Sequence, residues 1–374
     1  MDIGLNAHLL SGQMGYRSAG IHGYIYNTLA NLSQASSGDW LLTAMVGNNY
    51  QHNFDGVTMR RSTIDTESPL KRILWEQLSQ PWQIGKFDLY HAMTFVSPLI
   101  LPAPSVVTVY DLSFIHYPQV LSAARRLYLR LFTSISCRRA RRVIAISHST
   151  AHDIHGSLGI PEDRIDVAAC GYAHEHYQEL PFTVVEAFRT EQGLPDRFWL
   201  FLGTLEPRKN ITTLLDAYAK LPHSERLPLI LAGGKGWQYE DIFERIERYH
   251  LHDDVHFPGY IAADDLPLWY NCAEVFIYPS VFEGFGLPVL EAMACGTPVI
   301  VSDASSLPEV VGDAGLRVPP RDVDALVDAL RTAYHDANWR SETVKQGLQE
   351  AKRYSWQKTA EQTIASYRKA LANS

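Results

Sequence analysis

Short apolar runs alternate with amphipathic segments along the first half of the chain. Apolar residues at helical spacing predict a helix over residues 21–32, and runs of consecutive apolar residues predict β-strands. The predicted strands are 3–7, 41–46, 89–91, 106–110, 143–146 and 165–168, and two more helices are predicted over 125–139 and 150–158. Strands that alternate with helices of this length indicate parallel β-α-β units, so we expect an α/β domain.

The pattern changes between Gln178 and Arg197, where Pro181, Gly193 and Pro195 fall in a polar stretch that predicts a domain junction. A second β-α series follows. Its predicted strands are 198–202, 229–231, 255–257, 275–278 and 298–301, and its predicted helices are 211–221, 324–334, 341–354 and 356–371. We expect Asn210 to cap the first of these helices through its side chain. The length of 374 residues also favours two domains, here residues 1–180 and 181–355.

Charge and cysteine usage exclude several classes of protein. The formal net charge of −8 argues against a bulk nucleic-acid binder, so no nucleic-acid partner is expected. The cysteines lie far apart without a CxxC motif, which predicts buried small apolar residues in a reducing compartment; they are Cys137, Cys170, Cys272 and Cys295. The N-terminal residues lack the basic start and apolar run of a signal peptide. We therefore expect a cytoplasmic protein.

The segment 280–298, SVFEGFGLPVLEAMACGTP, is the most informative part of the chain. It follows a predicted strand, and its residues predict a glycine loop, then a short helix, then residues that end the helix. Gly286 permits close approach of the backbone, Pro288 suits the first helical turn, and Gly296 suits a left-handed C-terminal cap. The segment therefore predicts a helix that begins directly after the glycine loop.

The start of that helix predicts an anion site. The free amides of Phe285, Gly286 and Leu287 would bind an anion with the help of the helix dipole. Two carboxylates flank these amides, Glu283 just before the helix and Glu291 about one turn inside it. A carboxylate beside an anion site is explained best if it accepts hydrogen bonds from hydroxyl groups of the ligand.

A second informative segment is 202–210, LGTLEPRKN. Arg208 and Lys209 stand directly before a predicted helix, where two cations are unfavourable for the helix dipole alone. An anion between them and the amides near Gly286 would explain their position. A diphosphate leaving group fits, because its developing charge would be neutralised from both sides.

Three motifs together resemble the retaining glycosyltransferases of family 4: Glu283 and Glu291 with seven residues between them, the run Gly-Thr-Leu-Glu-Pro-Arg-Lys-Asn ending at Asn210, and the run Ser-Leu-Pro-Glu-Val-Val-Gly starting at Ser306. The resemblance covers the whole chain and is strongest to the bacterial mannosyltransferase-like branch that acts in polysaccharide assembly. It implies the GT-B fold, with two facing Rossmann-like domains of parallel sheets. It also implies that the last helix, within 356–374, crosses back to an acceptor-side N-terminal domain.

The resemblance also assigns roles to individual residues. The donor would be a nucleotide-diphosphate sugar, GDP-mannose or one like UDP-glucose, and the acceptor a hydroxyl of a glycan or of a lipid-linked acceptor. Arg208 and Lys209 would bind the diphosphate, Glu291 the ribose and Glu283 the transferred sugar. The other implied donor-binding residues are Gly15, Gly203, Thr204, Tyr260, Gly284, Phe285, Gly286 and Leu287.

Tyr110 departs from the family pattern, because many relatives carry a His there that contacts the donor sugar. A phenol can donate a hydrogen bond but does not titrate near neutral pH. We keep Tyr110 among the donor-binding residues and take the exchange as a reason to leave the sugar open.

Other interpretations stay open from the sequence. A nucleotide-sugar epimerase or a catalytically weak nucleotide-sugar-binding protein could share the GT-B layout. Asp322 and Asp324 mimic a metal-binding Asp-x-Asp motif, but they precede an amphipathic helix and are better explained by N-capping, so no metal or other cofactor is expected.

A run of arginines between Arg125 and Arg142 is locally basic in an acidic chain. It predicts either a solvated basic helix face or contact with an anionic membrane. The second interpretation would place the protein peripherally at the inner face of the membrane.

Overall fold

The computed structural model describes residues 1–10, 20–36 and 40–372. It divides into two compact units, Met1–Gly171 with Ser355–Ser374, and Tyr172–Tyr354. The division thus falls earlier than the predicted boundary at 180/181. The reason is that residues before this boundary already bond to the second unit: Asn271 accepts from the Leu180 amide at 2.9 Å and donates to the Gln178 carbonyl at 3.0 Å.

The first unit contains a seven-stranded parallel sheet with strand order β3-β2-β1-β4-β5-β6-β7. Its strands are β1 (Asp2–Asn6), β2 (Leu41–Val46), β3 (Val57–Arg61), β4 (Leu89–Ala92), β5 (Ser105–Val109), β6 (Arg142–Ala145) and β7 (Ile165–Val167). Its helices are α1 (Ile21–Ala35), α2 (Pro69–Leu74), α3 (Pro81–Ile84), α4 (Ser113–His116), α5 (Ala123–Arg139), α6 (His148–Leu158) and α15 (Trp356–Ala372). A π-helical turn, Trp75–Ser79, joins α2 to α3.

The C-terminal helix α15 belongs to this first unit, which confirms the predicted return of the chain. Thr363, Ile364 and Tyr367 on α15 are buried. The Tyr367 hydroxyl lies 2.6 Å from Nδ1 of His91 on β4. Gly171 permits the close approach, since a Cβ atom there would lie 2.1 Å from the backbone nitrogen of Trp356.

The second unit contains a six-stranded parallel sheet with strand order β10-β9-β8-β11-β12-β13. Its strands are β8 (Trp199–Leu202), β9 (Leu229–Ala232), β10 (Val255–Gly259), β11 (Val275–Tyr278), β12 (Val299–Ser302) and β13 (Gly315–Val318). Its helices are α7 (Phe182–Gln192), α8 (Ile211–Lys220), α9 (Glu240–Tyr249), α10 (Leu266–Cys272), α11 (Leu287–Ala294), α12 (Leu307–Val311), α13 (Val323–His335) and α14 (Ala337–Ala351). The two Rossmann-like sheets confirm the predicted α/β class.

Two local expectations need correction. The polar junction 178–197 contains the helix α7, whose apolar pattern is blurred because Phe182 and Val184 are exposed while Val185 and Phe188 are buried. The helix predicted from 341 begins at Ala337, because the Asp336 side chain accepts a hydrogen bond from the Trp339 amide and caps it.

The predicted burial of the cysteines is confirmed, because all four side chains are buried. Within the described ranges, every helix is too short or too polar to cross a bilayer.

Candidate functional site

The predicted phosphate segments meet where the strand order of the second sheet reverses. Strands β8 and β11 are neighbours there, and each is followed by one of the two segments singled out from the sequence. In open parallel α/β sheets, ligands bind outside the carboxyl ends of the strands at this reversal. The topology therefore brings Arg208 and Lys209, which follow β8, to Glu283, which follows β11.

Backbone contacts hold the two segments together. The Arg208 carbonyl accepts a hydrogen bond from the Val281 amide at 2.9 Å, and the Ser280 hydroxyl oxygen lies 3.1 Å from it. Arg208 and Lys209 themselves lie in a 3₁₀ turn, Pro207–Lys209, directly before α8. The relative position of the two charged segments is thus fixed by the main chain.

Asn210 does not cap α8 as expected. Its backbone is left-handed, with φ of 57°, and its side chain makes no capping hydrogen bond. Instead its amide nitrogen donates to the Pro279 carbonyl at 3.1 Å, and its amide oxygen accepts from the Thr213 hydroxyl at 2.7 Å. Asn210 therefore joins the β8 and β11 segments, which is why its side chain is unavailable to the helix amides.

Four charged side chains form the centre of the site. Nζ of Lys209 lies 2.6 Å from a carboxylate oxygen of Glu283 and also donates to the Tyr278 hydroxyl. Arg208 pairs with Glu206 at 2.9 Å and lies 3.9 Å from the second oxygen of Glu283. The sequence predicted two cations awaiting an anion. In the structure, the carboxylates of Glu206 and Glu283 pair with these cations.

Burial strengthens the electrostatic attraction between these side chains. Lys209 and Glu283 are only 8% and 9% exposed. Burial alone would raise the pKa of Glu283, but the cations of Lys209 and Arg208 and the Ser280 hydroxyl hold it below its usual range. Burial and the nearby Arg208 lower the pKa of Lys209, and Glu283 offsets this only in part. A second anion entering here would favour the charged form of the lysine and so raise its pKa.

The glycine loop leads into α11 as predicted. Gly286 has φ of 107°, and a Cβ atom there would lie 2.7 Å from Cδ2 of Leu307. The Ser306 hydroxyl donates to the carbonyls of Glu283 and Phe285 at 3.0 and 2.7 Å and fixes the loop. The first amides of a helix have no partner within the helix, so the start of α11 can bind an anion.

Glu291, on α11, contacts a different set of side chains from Glu283. Its carboxylate accepts a hydrogen bond from the Tyr270 hydroxyl at 3.2 Å. Burial raises the pKa of Glu291 to about 7, although hydrogen bonds from Tyr270 and Tyr177 act in the opposite direction. Glu283 is thus held as a carboxylate by cations, whereas Glu291 gains and loses a proton near neutral pH.

The remaining predicted residues are placed as follows. Gly203 and Thr204 directly follow β8, Gly284, Phe285 and Leu287 belong to the loop and start of α11, and Tyr260, which follows β10, is 59% exposed. Gly15 lies outside the described residues.

Tyr110 is buried in the first unit. Its hydroxyl donates to the Met93 carbonyl at 2.7 Å, and its ring packs edge-on against Tyr24 and Phe95. To contact a donor sugar, the phenol would have to give up that hydrogen bond.

The Asp-x-Asp pair is explained by local structure. Asp322 accepts from the Ala325 amide and caps α13, as predicted, while Asp324 pairs with Lys220 at 2.7 Å. In the part of the chain that the structure describes, no group of three or more His, Cys, Asp or Glu side chains is placed to hold a metal ion.

Several site residues were missed by sequence reasoning. Tyr278, the last residue of β11, contacts Lys209, and Ser280, two residues later, contacts Glu283. Glu206 balances Arg208. Glu206 and Ser280 lie inside the two segments singled out from the sequence, so they could have been considered as site residues. Tyr177 and Tyr270 had no such signal, since only the fold brings them to Glu291.

Comparisons with known proteins place this site in a family. Residues 185–350 match the family model described as "Glycosyl transferases group 1", and residues 40–176 match that described as "Glycosyltransferase Family 4". Over 293 residues the chain is 36% identical to O-antigen chain mannosyltransferase B of Escherichia coli, and the match covers 77% of each chain.

Solved structures share the fold. The chain resembles sucrose-phosphate synthase of Thermosynechococcus elongatus with a TM-score of 0.77 and 24% identity over 100% of both chains. It resembles Anabaena HepE, solved in complex with UDP-glucose, with a TM-score of 0.72 and 22% identity over 98% of this chain and 99% of that one. The chain therefore has the GT-B fold, belongs to glycosyltransferase family 4 and is a hexosyltransferase similar to a bacterial O-antigen mannosyltransferase.

Proposed function

We propose that this enzyme transfers a hexose from a nucleotide-diphosphate sugar to a hydroxyl of a glycan or lipid-linked acceptor, with retention of the anomeric configuration, in the assembly of a polysaccharide. The observation that carries the proposal is the buried Lys209–Glu283 pair beside the start of α11. It combines a cation for a diphosphate with a carboxylate for sugar hydroxyls. The mannosyltransferase name of the Escherichia coli relative favours GDP-mannose as donor, with a UDP-hexose as the alternative.

The diphosphate would lie against Arg208, Lys209 and the first amides of α11. As the bond from the anomeric carbon to the phosphate oxygen breaks, negative charge grows on the phosphate. Lys209 is already in place to stabilise it, so no reorganisation is needed at that moment. Glu283 would orient the sugar and Glu291 the ribose, through hydrogen bonds from their hydroxyls.

The proposed reaction takes place on one face of the sugar. The acceptor oxygen bonds to the anomeric carbon from the side that the phosphate leaves, and its proton passes to the departing phosphate oxygen. This step needs no protein nucleophile and no metal ion, because side chains and backbone amides would neutralise the leaving group. We also propose a cytoplasmic location, which the free buried cysteines support.

The test is release of nucleoside diphosphate from GDP-mannose and from UDP-glucose by the purified enzyme, with and without EDTA and with an oligosaccharide acceptor. We expect acceptor-dependent release that EDTA does not change, and faster release from GDP-mannose. Release that does not depend on the acceptor would indicate hydrolysis of the donor and contradict the proposed transfer. Binding without release would favour a catalytically weak binding protein. Reversible loss of activity in EDTA would contradict metal independence.

A further inference from the structure

An apolar stripe runs along the segment 69–84 of the first unit. Four large side chains at intervals of four residues are strongly exposed: Leu70 at 75%, Leu74 at 58%, Leu78 at 66% and Trp82 at 85%. A spacing of four drifts around an α-helix of 3.6 residues per turn. The π turn, in which the Gln80 amide donates to the Trp75 carbonyl at 3.0 Å, is wider and offsets part of that drift. The geometry therefore keeps the stripe together.

A second set of exposed apolar side chains lies on α5. Leu127, Leu131 and Ile135 are again four residues apart and are 58%, 49% and 38% exposed. These intervals place them along one side of the helix. Ordinary surface helices bury such a stripe against the core. On α5 the buried positions are instead Thr133, Ser136 and Cys137.

The loop after β4 connects the two sets. The Leu99 amide donates to the side chain of Gln77, on the π turn, at 2.9 Å, and the Leu99 carbonyl accepts from Arg139, at the end of α5. Leu99 and its neighbour Ile100 are themselves 44% and 70% exposed. The three elements thus form one surface, which we call the apolar face: Leu70, Leu74, Leu78, Trp82, Leu99, Ile100, Leu127, Leu131 and Ile135.

Positive charge accompanies the apolar face, although the whole chain carries −8. Residues 121–142 contain seven arginines and no acid, and residues 69–86 contain one acid, Glu76, which is buried. Arg125 and Arg130 are exposed, and among the described residues no carboxylate pairs with either. Arg142, by contrast, is buried against Asp166 at 2.6 Å, so the end of the arginine run is structural and not part of this surface.

We propose that the apolar face docks on an anionic phospholipid surface. Leucine and tryptophan side chains with arginines around them are what an interfacial helix presents to such a bilayer. Each Lys or Arg near the surface adds attraction to the anionic headgroups. A second copy of the chain is a poorer occupant, because pairing through this face would bring like charges together. The inference goes beyond the proposed transfer reaction and does not depend on it.

Vesicle sedimentation tests the docking directly. At low salt the full chain is expected to sediment with phosphatidylglycerol-containing vesicles and to remain in the supernatant with pure phosphatidylcholine vesicles. Leu78→Gln/Trp82→Gln should lower the partition coefficient about tenfold or more, because these side chains would no longer enter the bilayer. Arg125→Gln/Arg130→Gln should lower it similarly on anionic vesicles and flatten its salt dependence.

Two controls make the test specific. Phe182→Gln removes an apolar side chain of the second unit that is 76% exposed, and it should leave sedimentation unchanged. Trp82→Phe should keep binding but lose part of the tryptophan quenching by brominated lipid. Equal sedimentation of the wild type and the Leu78/Trp82 variant, both with unchanged melting temperature, would overturn the proposal. So would concentration-dependent dimerisation that the same substitutions abolish, since the occupant would then be a second copy.

Discussion

The two sheets reverse strand order in the same way but present different chemistry at the reversal. In the second unit, the segments after β8 and β11 bring four formal charges together, those of Glu206, Arg208, Lys209 and Glu283. In the first unit, where β1 and β4 meet, the polar side chains at the end of β1 and just after it are Asn6 and His8. Burial, with Arg72 nearby, lowers the pKa of His8 to about 4, so it is neutral at pH 7.

This difference separates two kinds of recognition. Asn6 donates to Glu76 at 3.1 Å, and Nδ1 of His8 lies 3.2 Å from the Thr66 hydroxyl. Asn6 and His8 can bond hydroxyls, and neither supplies the positive charge that would stabilise a diphosphate. The reversal with Arg208 and Lys209 suits the donor's leaving group and the one with Asn6 and His8 suits an acceptor, in line with the acceptor-side role expected of the first unit.

The largest effect is expected at Lys209. Lys209→Met should lower kcat, because the lysine stabilises charge that develops in the transition state. The activation free energy should rise by about 2–4 kcal/mol. Steady-state kinetics on the folded variant measure this. Lys220→Met is the matched control, since Lys220 pairs with Asp324 on the surface of the same unit.

A double variant separates catalysis from stability. Lys209→Met alone leaves the Glu283 carboxylate buried without its main partner, which is destabilising. Lys209→Met/Glu283→Gln removes both charges and should recover the melting temperature without recovering activity. Recovery of activity together with stability would show that the lysine acts only structurally.

Smaller effects are expected from substitution of Glu283 and Glu291, and they should differ between the two residues. Glu283→Gln should lower turnover about 100-fold while nucleoside diphosphate still binds, because misplacing the reacting sugar slows the reaction more than it weakens the nucleotide. Glu291→Gln should mainly raise the KM for the donor. Calorimetric titration with GDP provides the decisive comparison. Loss of GDP binding in the Glu283 variant and its retention in the Glu291 variant would exchange the two roles.

The pH dependence of donor kcat/KM should report the ionisation of Glu291. Its pKa of about 7 lies above the reference value of 4.5, so the carboxylate that accepts ribose hydroxyls forms as the pH rises through 7. Donor kcat/KM should therefore rise about tenfold from pH 6 to pH 8, and Glu291→Gln should remove that rise. The raised pKa also means that the free energy of unfolding falls as the pH rises from 4.5 to about 7. A pH profile that is unchanged in the variant would assign the titration elsewhere.

The smallest effect is expected in the first unit. His8→Ala should raise the KM for the acceptor severalfold, in keeping with about 1 kcal/mol for a neutral hydrogen bond. The KM for the donor should stay unchanged. Thr66→Val is the companion variant, because it removes the hydroxyl beside His8 and keeps the side-chain shape. A rise in donor KM instead would remove the distinction between the two reversals.

The sequence was sufficient where local rules and topology agree. Strand β11, Gly286, Pro288 and Gly296 were predicted from turn and helix-end chemistry alone, and strand order then brought Lys209 to Glu283. It was insufficient where partners come from distant segments. Nothing local indicates that Tyr270 reaches Glu291 or that Asn210 turns to the Pro279 carbonyl. The exposed stripe from Leu70 to Trp82 was missed because its spacing fits neither a buried helix face nor a strand.

The central claim is a one-faced transfer at the charged reversal, and the configuration of the first product tests it most directly. Proton NMR should follow the reaction of an α-configured GDP-mannose with an oligosaccharide acceptor from its earliest turnover. We predict that the new glycosidic linkage is α. A β linkage in the initial product would contradict it, because the acceptor would then have attacked from the face opposite Arg208, Lys209 and the start of α11.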